Sequence, residues 1–102
     1  MPRFAEFITF QTDRADDSLF LERRRQAIIA VKKAHPALVS VPVLSRSSDG
    51  TWTDVWIYET EEAAQAANQD AGNISEFMAM AELLTDVNLM SGEIPDESVS
   101  PL

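Results

Sequence analysis

The sequence predicts a single α+β domain in which two helices cover one face of a four-stranded antiparallel sheet. Residues 52–58 alternate with a period of two, as a β-strand does, and Asp49-Gly50 before them is typical of a hairpin turn. Strand-like runs are separated by two stretches that carry helix-start signals. A length of 102 residues fits one domain, which we expect over 1–94, followed by a flexible acidic tail over 95–102.

The first half of the chain predicts a strand, a helix and a second strand. Residues 3–11 are rich in aromatic and β-branched types and predict the first strand. The acids that follow open a helix over about 16–35, where basic side chains and Pro36 mark its end. A β-branched run over 37–47 predicts the next strand, and Pro42, which lacks an N–H, places it at a sheet edge.

The second half predicts a strand, a broken helix and a last strand. Thr60 can cap the second helix, which Gly72 interrupts. Asn73 and Glu76 have the spacing of a capping box, so the helix should restart near 74 and end near 84. With a final strand over 86–94, the order is β-α-β-β-α-β, the ferredoxin-like arrangement.

The strand around residue 55 has two apolar faces. One carries Val55 and Ile57, which we expect to contact the helices. The other carries Trp52, Asp54, Trp56 and Tyr58, and no element of the predicted fold is left to cover it. Because a bare aromatic patch usually marks a partner or ligand, we expect a second copy of the sheet to cover it and form a homodimer.

Several sequence features together resemble the dimeric α/β-barrel superfamily, in its antibiotic-biosynthesis-monooxygenase-like branch. They are His35-Pro36 after the first helix, Asp49-Gly50 at the hairpin, an alanine-rich second helix, and the spacing of Trp52, Asp54 and Trp56. The resemblance implies a homodimer with a pocket between sheet and helices in each subunit. It implies no single activity, since the superfamily includes oxygenases, isomerases and haem-degrading enzymes.

Two departures from the relatives bear on chemistry. Haem-degrading relatives have an Asn on the first strand and an iron-ligating His on the second helix. Here the first strand has Phe7 or a neighbour at that place, and residues 61–84 contain no histidine, so we expect no haem. Many branch members also carry a His on the last strand, where Ser91 stands here, which argues against a mechanism that needs an imidazole base.

Composition excludes several classes of partner and cofactor. The formal net charge of −9 repels nucleic acid. The chain has no cysteine and one histidine, so we expect no metal and no cofactor. No apolar run is long enough to span a membrane and the N-terminus lacks a signal-peptide pattern, so a cytoplasmic protein is expected.

Asp54 is the candidate catalytic residue. A carboxyl group among aromatic rings is poorly hydrated and can act as a general base. Alternatively, Asp54 bonds a backbone amide, an arginine or a tryptophan N–H across the dimer. Trp52, Trp56 and Tyr58 are candidate substrate-binding residues that could stack on a flat aromatic molecule, or they simply fill a dimer core.

Arg24 is a further candidate for substrate binding. It lies near the centre of the apolar stripe of the first helix, which comprises Phe20, Ala27, Ile28, Val31 and Ala34. Such a cation either extends to water, pairs with an interior carboxylate such as Glu6 or Asp54, or binds an anionic substrate. His35, at the helix end, is expected to bond the last helix carbonyls.

Two functions remain open from the sequence. The first is a cofactor-independent monooxygenase acting on a small aromatic, phenolic or quinol-like molecule, with Asp54 as base and Arg24 holding the anion. The alternative is a non-catalytic homodimer that binds a small ligand.

Overall fold

The computed structural model describes residues 2–98 and 100–102. Met1 and Val99, which belong to the predicted domain and tail respectively, lie outside the described residues. The strands are β1 (Arg3–Gln11), β2 (Leu38–Arg46), β3 (Trp52–Tyr58) and β4 (Thr85–Ile94). The helices are α1 (Asp17–Ala34), α2 (Glu61–Asp70) and α3 (Ser75–Ala81), with short 3₁₀ turns at Arg14–Asp16, Ala71–Asn73 and Asp96–Ser98.

The sheet is antiparallel with strand order β2-β3-β1-β4, and the predicted ferredoxin-like fold is confirmed. Strand β2 is an edge strand, as Pro42 predicted, and its pairing with β3 shifts register between Ser40 and Val43. The Thr60 hydroxyl caps α2 by accepting a hydrogen bond from the Ala63 N–H, also as predicted. The second helical region is broken at Gly72, where a 3₁₀ turn separates α2 from α3.

The orientation of β3 corrects the sequence-based prediction. Trp52, Asp54, Trp56 and Tyr58 are buried and face the helices, whereas Val55 and Ile57 face the open side of the sheet and are half-buried. The alternation assigns the residues of β3 to two faces. Because both faces are apolar, it does not show which of them the helices cover. The aromatic row is part of the core and is not a bare surface.

Two adjoining clusters of buried residues form this core. One lies under α2 and the end of α1, and it contains Val31, Leu38, Trp56, Tyr58, Ala64, Ala67 and Ile74. The other lies under α1 and α3, and it contains Phe10, Phe20, Ala27, Trp52 and Met80. Small alanines on α2 let that helix approach the large rings of β3 closely.

Three further local predictions are wrong. Ile74 is the N-cap of α3 and no side chain caps it; Asn73 instead donates a hydrogen bond to Asp70. The His35 ring contacts the Asp70 carboxylate at 2.8 Å instead of the last carbonyls of α1, because the end of α2 lies beside it. Ala34 is exposed, although the rest of the predicted α1 stripe is buried or half-buried.

Candidate functional site

A cavity of about 240 Å³ lies between the helix-facing side of the sheet and the helices. Its floor comes from β1, β3 and β4, and its other wall comes from α2, α3 and the turn after α3. The lining residues are Glu6, Ile8, Phe10, Asp54, Trp56, Tyr58, Asn68, Phe77, Met80, Ala81, Leu84, Val87 and Leu89. The cavity is open along β4, where Val87 and Leu89 are more than half exposed.

Aromatic rings line the cavity on both its floor and its helical side. The Trp56 and Phe77 rings meet edge to face, with centroids 6.4 Å apart. Trp56 comes from β3 and Phe77 from α3, so the contact ties the helix to the sheet. The rings give this part of the cavity an apolar lining.

Glu6 supplies a buried carboxyl group in the middle of β1. The residue is 5% exposed, and its side chain accepts a hydrogen bond of 2.7 Å from the Asn68 amide on α2. Among the residues that the structure describes, no cation pairs with it. Burial raises the pKa of Glu6, and the hydrogen bond from Asn68 offsets part of that rise. The raised pKa means that the protonated form of Glu6 is favoured more than it is for a glutamate in water.

Tyr58, on β3, is another titratable residue that lines the cavity. Burial raises the pKa of Tyr58 well above its usual range, and the negative charge of Glu6 raises it further. The phenol therefore keeps its proton at neutral pH. Within the described part of the chain its side chain makes no hydrogen bond, so its O–H is available as a donor.

Arg24 and Asp54 form a bidentate ion pair. The Arg24 Nε and Nη2 atoms each donate to one Asp54 oxygen, both at 2.9 Å. Asp54 is 2% exposed, and the Arg24 side chain is 15% exposed. Of the three possibilities for Arg24, the structure therefore has it paired with an interior carboxylate, and that carboxylate is Asp54, not Glu6. Asp54 lines the cavity, whereas Arg24 does not.

Trp52 lies apart from the other candidates. Its ring packs against Phe20 and under the Arg46 guanidinium, 4.1 Å from the ring centroid. Its indole N–H donates to the Thr12 hydroxyl, and Arg46 is held in place by two hydrogen bonds to Asp17. Trp52 is not among the residues that line the cavity. The structure thus brings together Asp54, Trp56 and Tyr58, and leaves Trp52 outside.

Sequence reasoning did not assign Glu6, Asn68 or Phe77 to the site. Glu6 had a visible signal, since it is the one acid of the first strand and has apolar residues on both sides. Asn68 had none, because 62 residues separate it from the carboxyl group that it contacts.

The described residues contain no helix long and apolar enough to cross a membrane, and no group of three or more potential metal ligands. A cytoplasmic location stays a prediction.

Comparison with solved structures confirms the fold that the sequence resemblance implies. SnoaB, a cofactor-independent oxygenase from Streptomyces nogalater, is 16% identical, with 98% of each chain covered and a TM-score of 0.70. A provisional antibiotic biosynthesis monooxygenase from Bordetella bronchiseptica is 14% identical over 90% of this chain and 96% of its own, with a TM-score of 0.72. A conserved protein from Methanosarcina mazei is 10% identical over 90% and 92%, with a TM-score of 0.71. At these identities the likeness shows the fold alone. No family model and no curated protein matches the chain.

Proposed function

We propose that this protein is a cofactor-independent monooxygenase that oxidises a small hydroxylated aromatic molecule in the cavity between sheet and helices. The observation that carries the proposal is the buried Glu6 carboxyl group, which pairs with no cation among the described residues and lies in a cavity of about 240 Å³ lined by aromatic rings. A base, a protonated donor and a poorly hydrated pocket are what such chemistry requires of a protein. SnoaB, which has the same fold, is named as a cofactor-independent oxygenase.

The reaction needs no reductant beyond the substrate. Glu6 takes the hydroxyl proton of a phenol or naphthol, and the Tyr58 O–H donates to the resulting phenolate oxygen. The electron-rich ring transfers one electron to O₂, and the radical pair combines at a ring carbon that carries hydrogen. Cleavage of the O–O bond, with loss of that hydrogen, leaves a carbonyl group, and the other oxygen departs as water. In total, a hydroxyarene and O₂ give a quinone and H₂O.

Asp54 is the other carboxyl group of the cavity and is the alternative base. Each of its two oxygens accepts a hydrogen bond from Arg24, so a proton taken up by Asp54 would leave the Arg24 guanidinium without its negative partner. We therefore assign the base to Glu6. In this proposal Arg24 holds Asp54 in place in the cavity floor, and Trp56 supports the substrate ring.

We also propose a homodimer, through the open face of the sheet. The register aligns Val43, Val55, Phe7 and Met90 in one row across all four strands. Phe7 and Val43 are more than two-fifths exposed and Met90 is 73% exposed, so the open face carries an apolar row that a second copy would cover.

The oligomeric state tests the dimer. Light scattering at micromolar concentration should give twice the mass of the chain. Phe7→Glu should give a monomer. The control is Leu19→Glu, at an equally exposed apolar residue of α1, which should stay a dimer. A monomeric wild type would refute the dimer.

A panel of phenols, naphthols and hydroquinones tests the enzyme. Ligands are found by thermal shift, and each hit is then assayed for oxygen uptake. Glu6→Gln should lower turnover by about 10²–10⁴-fold while the ligand still binds, since it removes a general base and keeps the shape of the side chain. Glu59→Gln, at an exposed glutamate, is the matched control. Loss of turnover in Asp54→Asn with full turnover in Glu6→Gln would assign the base to Asp54.

The second candidate is a non-catalytic dimer that binds a small aromatic ligand in the same cavity. The observation in its favour is that Arg24 and Asp54, the two charged residues that the sequence suggested for catalysis, are paired with each other. Ligands that raise the melting temperature without any oxygen uptake would support this function over the first.

A further inference from the structure

The charged side chains that line the cavity are negative. Glu6 and Asp54 are its charged lining residues in the described part of the chain, and both are acidic. Arg24 neutralises Asp54 through two hydrogen bonds and is directed at that carboxylate. Glu6 has a hydrogen bond from the neutral Asn68 amide and no cation. An ionised Glu6 therefore gives the cavity one uncompensated negative charge.

We infer that Glu6 makes the cavity selective for electrically neutral hydroxyl- or amino-substituted aromatic molecules and excludes aromatic carboxylates. A neutral O–H or N–H donor pairs with the Glu6 carboxylate, and proton transfer between them leaves the net charge of the cavity unchanged. A carboxylate ligand would place a second negative charge beside Glu6 in a poorly hydrated space, where like charges repel strongly. The net charge of −9 on the chain acts in the same direction. The inference rests on the cavity being the ligand site of the proposed function.

Three probes of nearly equal shape test this selectivity: naphthol, naphthylamine and naphthoate, substituted at the same ring position. Their affinities are measured by calorimetry at about pH 8, well above the ordinary pKa of a glutamate. Wild type should bind naphthol and naphthylamine at least about tenfold more tightly than naphthoate. A tenfold difference in affinity is smaller than the repulsion expected between two carboxylates in contact in a poorly hydrated cavity. Glu6→Gln should lose most of this difference, and Glu59→Gln should keep it.

The outcomes separate this inference from the proposed function. Equal affinity for naphthoate and naphthol, or discrimination that persists in Glu6→Gln, overturns the inference. Failure of all three probes to bind overturns both the inference and the proposed ligand site. Selective binding of naphthol without oxygen uptake refutes the proposed oxygenase and leaves the assignment of Glu6 as the selectivity residue standing.

Discussion

Replacing Arg24 by methionine should destabilise the fold, because it leaves the buried Asp54 carboxylate without its cation. Methionine keeps much of the apolar stem of arginine, so the main change is loss of the guanidinium that binds both oxygens of Asp54. Asp54 is 2% exposed and would remain in the core without its cation. Breaking a buried pair from one side costs about 3–5 kcal/mol. Because Arg24 itself is partly exposed, we expect about 3 kcal/mol.

The assay is urea unfolding at neutral pH, with thermal melts as a second measure. A loss of about 3 kcal/mol corresponds to a fall of about 15 °C in melting temperature for a domain of this size. Arg25→Met is the matched control, since Arg25 forms an exposed ion pair with Glu22 on the same helix. Arg25→Met should melt close to wild type, because an exposed ion pair contributes little to stability.

A double variant separates the unpaired charge from other effects of the change. Arg24→Met combined with Asp54→Leu removes both charges, and its stability should return to within about 1 kcal/mol of wild type. Should Arg24→Met alone behave like Arg25→Met, water must reach Asp54 and the pair would not be a buried one. A double variant as unstable as the single one would show that the loss comes from packing.

Three further predictions concern stability. Burial raises the pKa of Glu6 above its usual value of 4.5, so the wild type loses stability as Glu6 ionises. Glu6→Gln has no carboxyl group to ionise. Its stability relative to wild type should therefore increase as pH rises from about 4.5 through the raised pKa. Urea unfolding at several pH values measures this gain, and a flat or falling difference contradicts it. Thr60→Ala removes the α2 cap and should cost about 1 kcal/mol in thermal melts, whereas an unchanged melting temperature would mean that water replaces the hydroxyl. Gly50 has a φ of 88°, so Gly50→Ala should cost about 1 kcal/mol and Gly50→Asn less; equal melting temperatures for all three would argue against the left-handed turn.

The sequence by itself determined the elements and their order. Strand alternation, the Thr60 cap, the Pro42 edge strand and the break at Gly72 all depend on residues close together in the chain, and the structure has each of them. The apolar stripe of α1 also predicted that Arg24 would face the interior, where it does find a carboxylate. Local patterns of this kind are set by backbone geometry and by hydrogen bonds between near neighbours.

Only the tertiary structure decided which surfaces and side chains meet. Both faces of β3 are apolar, so its alternation could not show that the Trp56 side lies under the helices; that depends on how the whole sheet packs. Glu6 and Asp54 were equally suitable partners for Arg24 by charge, and strand register places Asp54 within reach while Glu6 contacts Asn68. The cavity follows from these long-range contacts. Its residues come from five elements and the turn after α3, and no local pattern in the sequence encodes distances between segments so far apart.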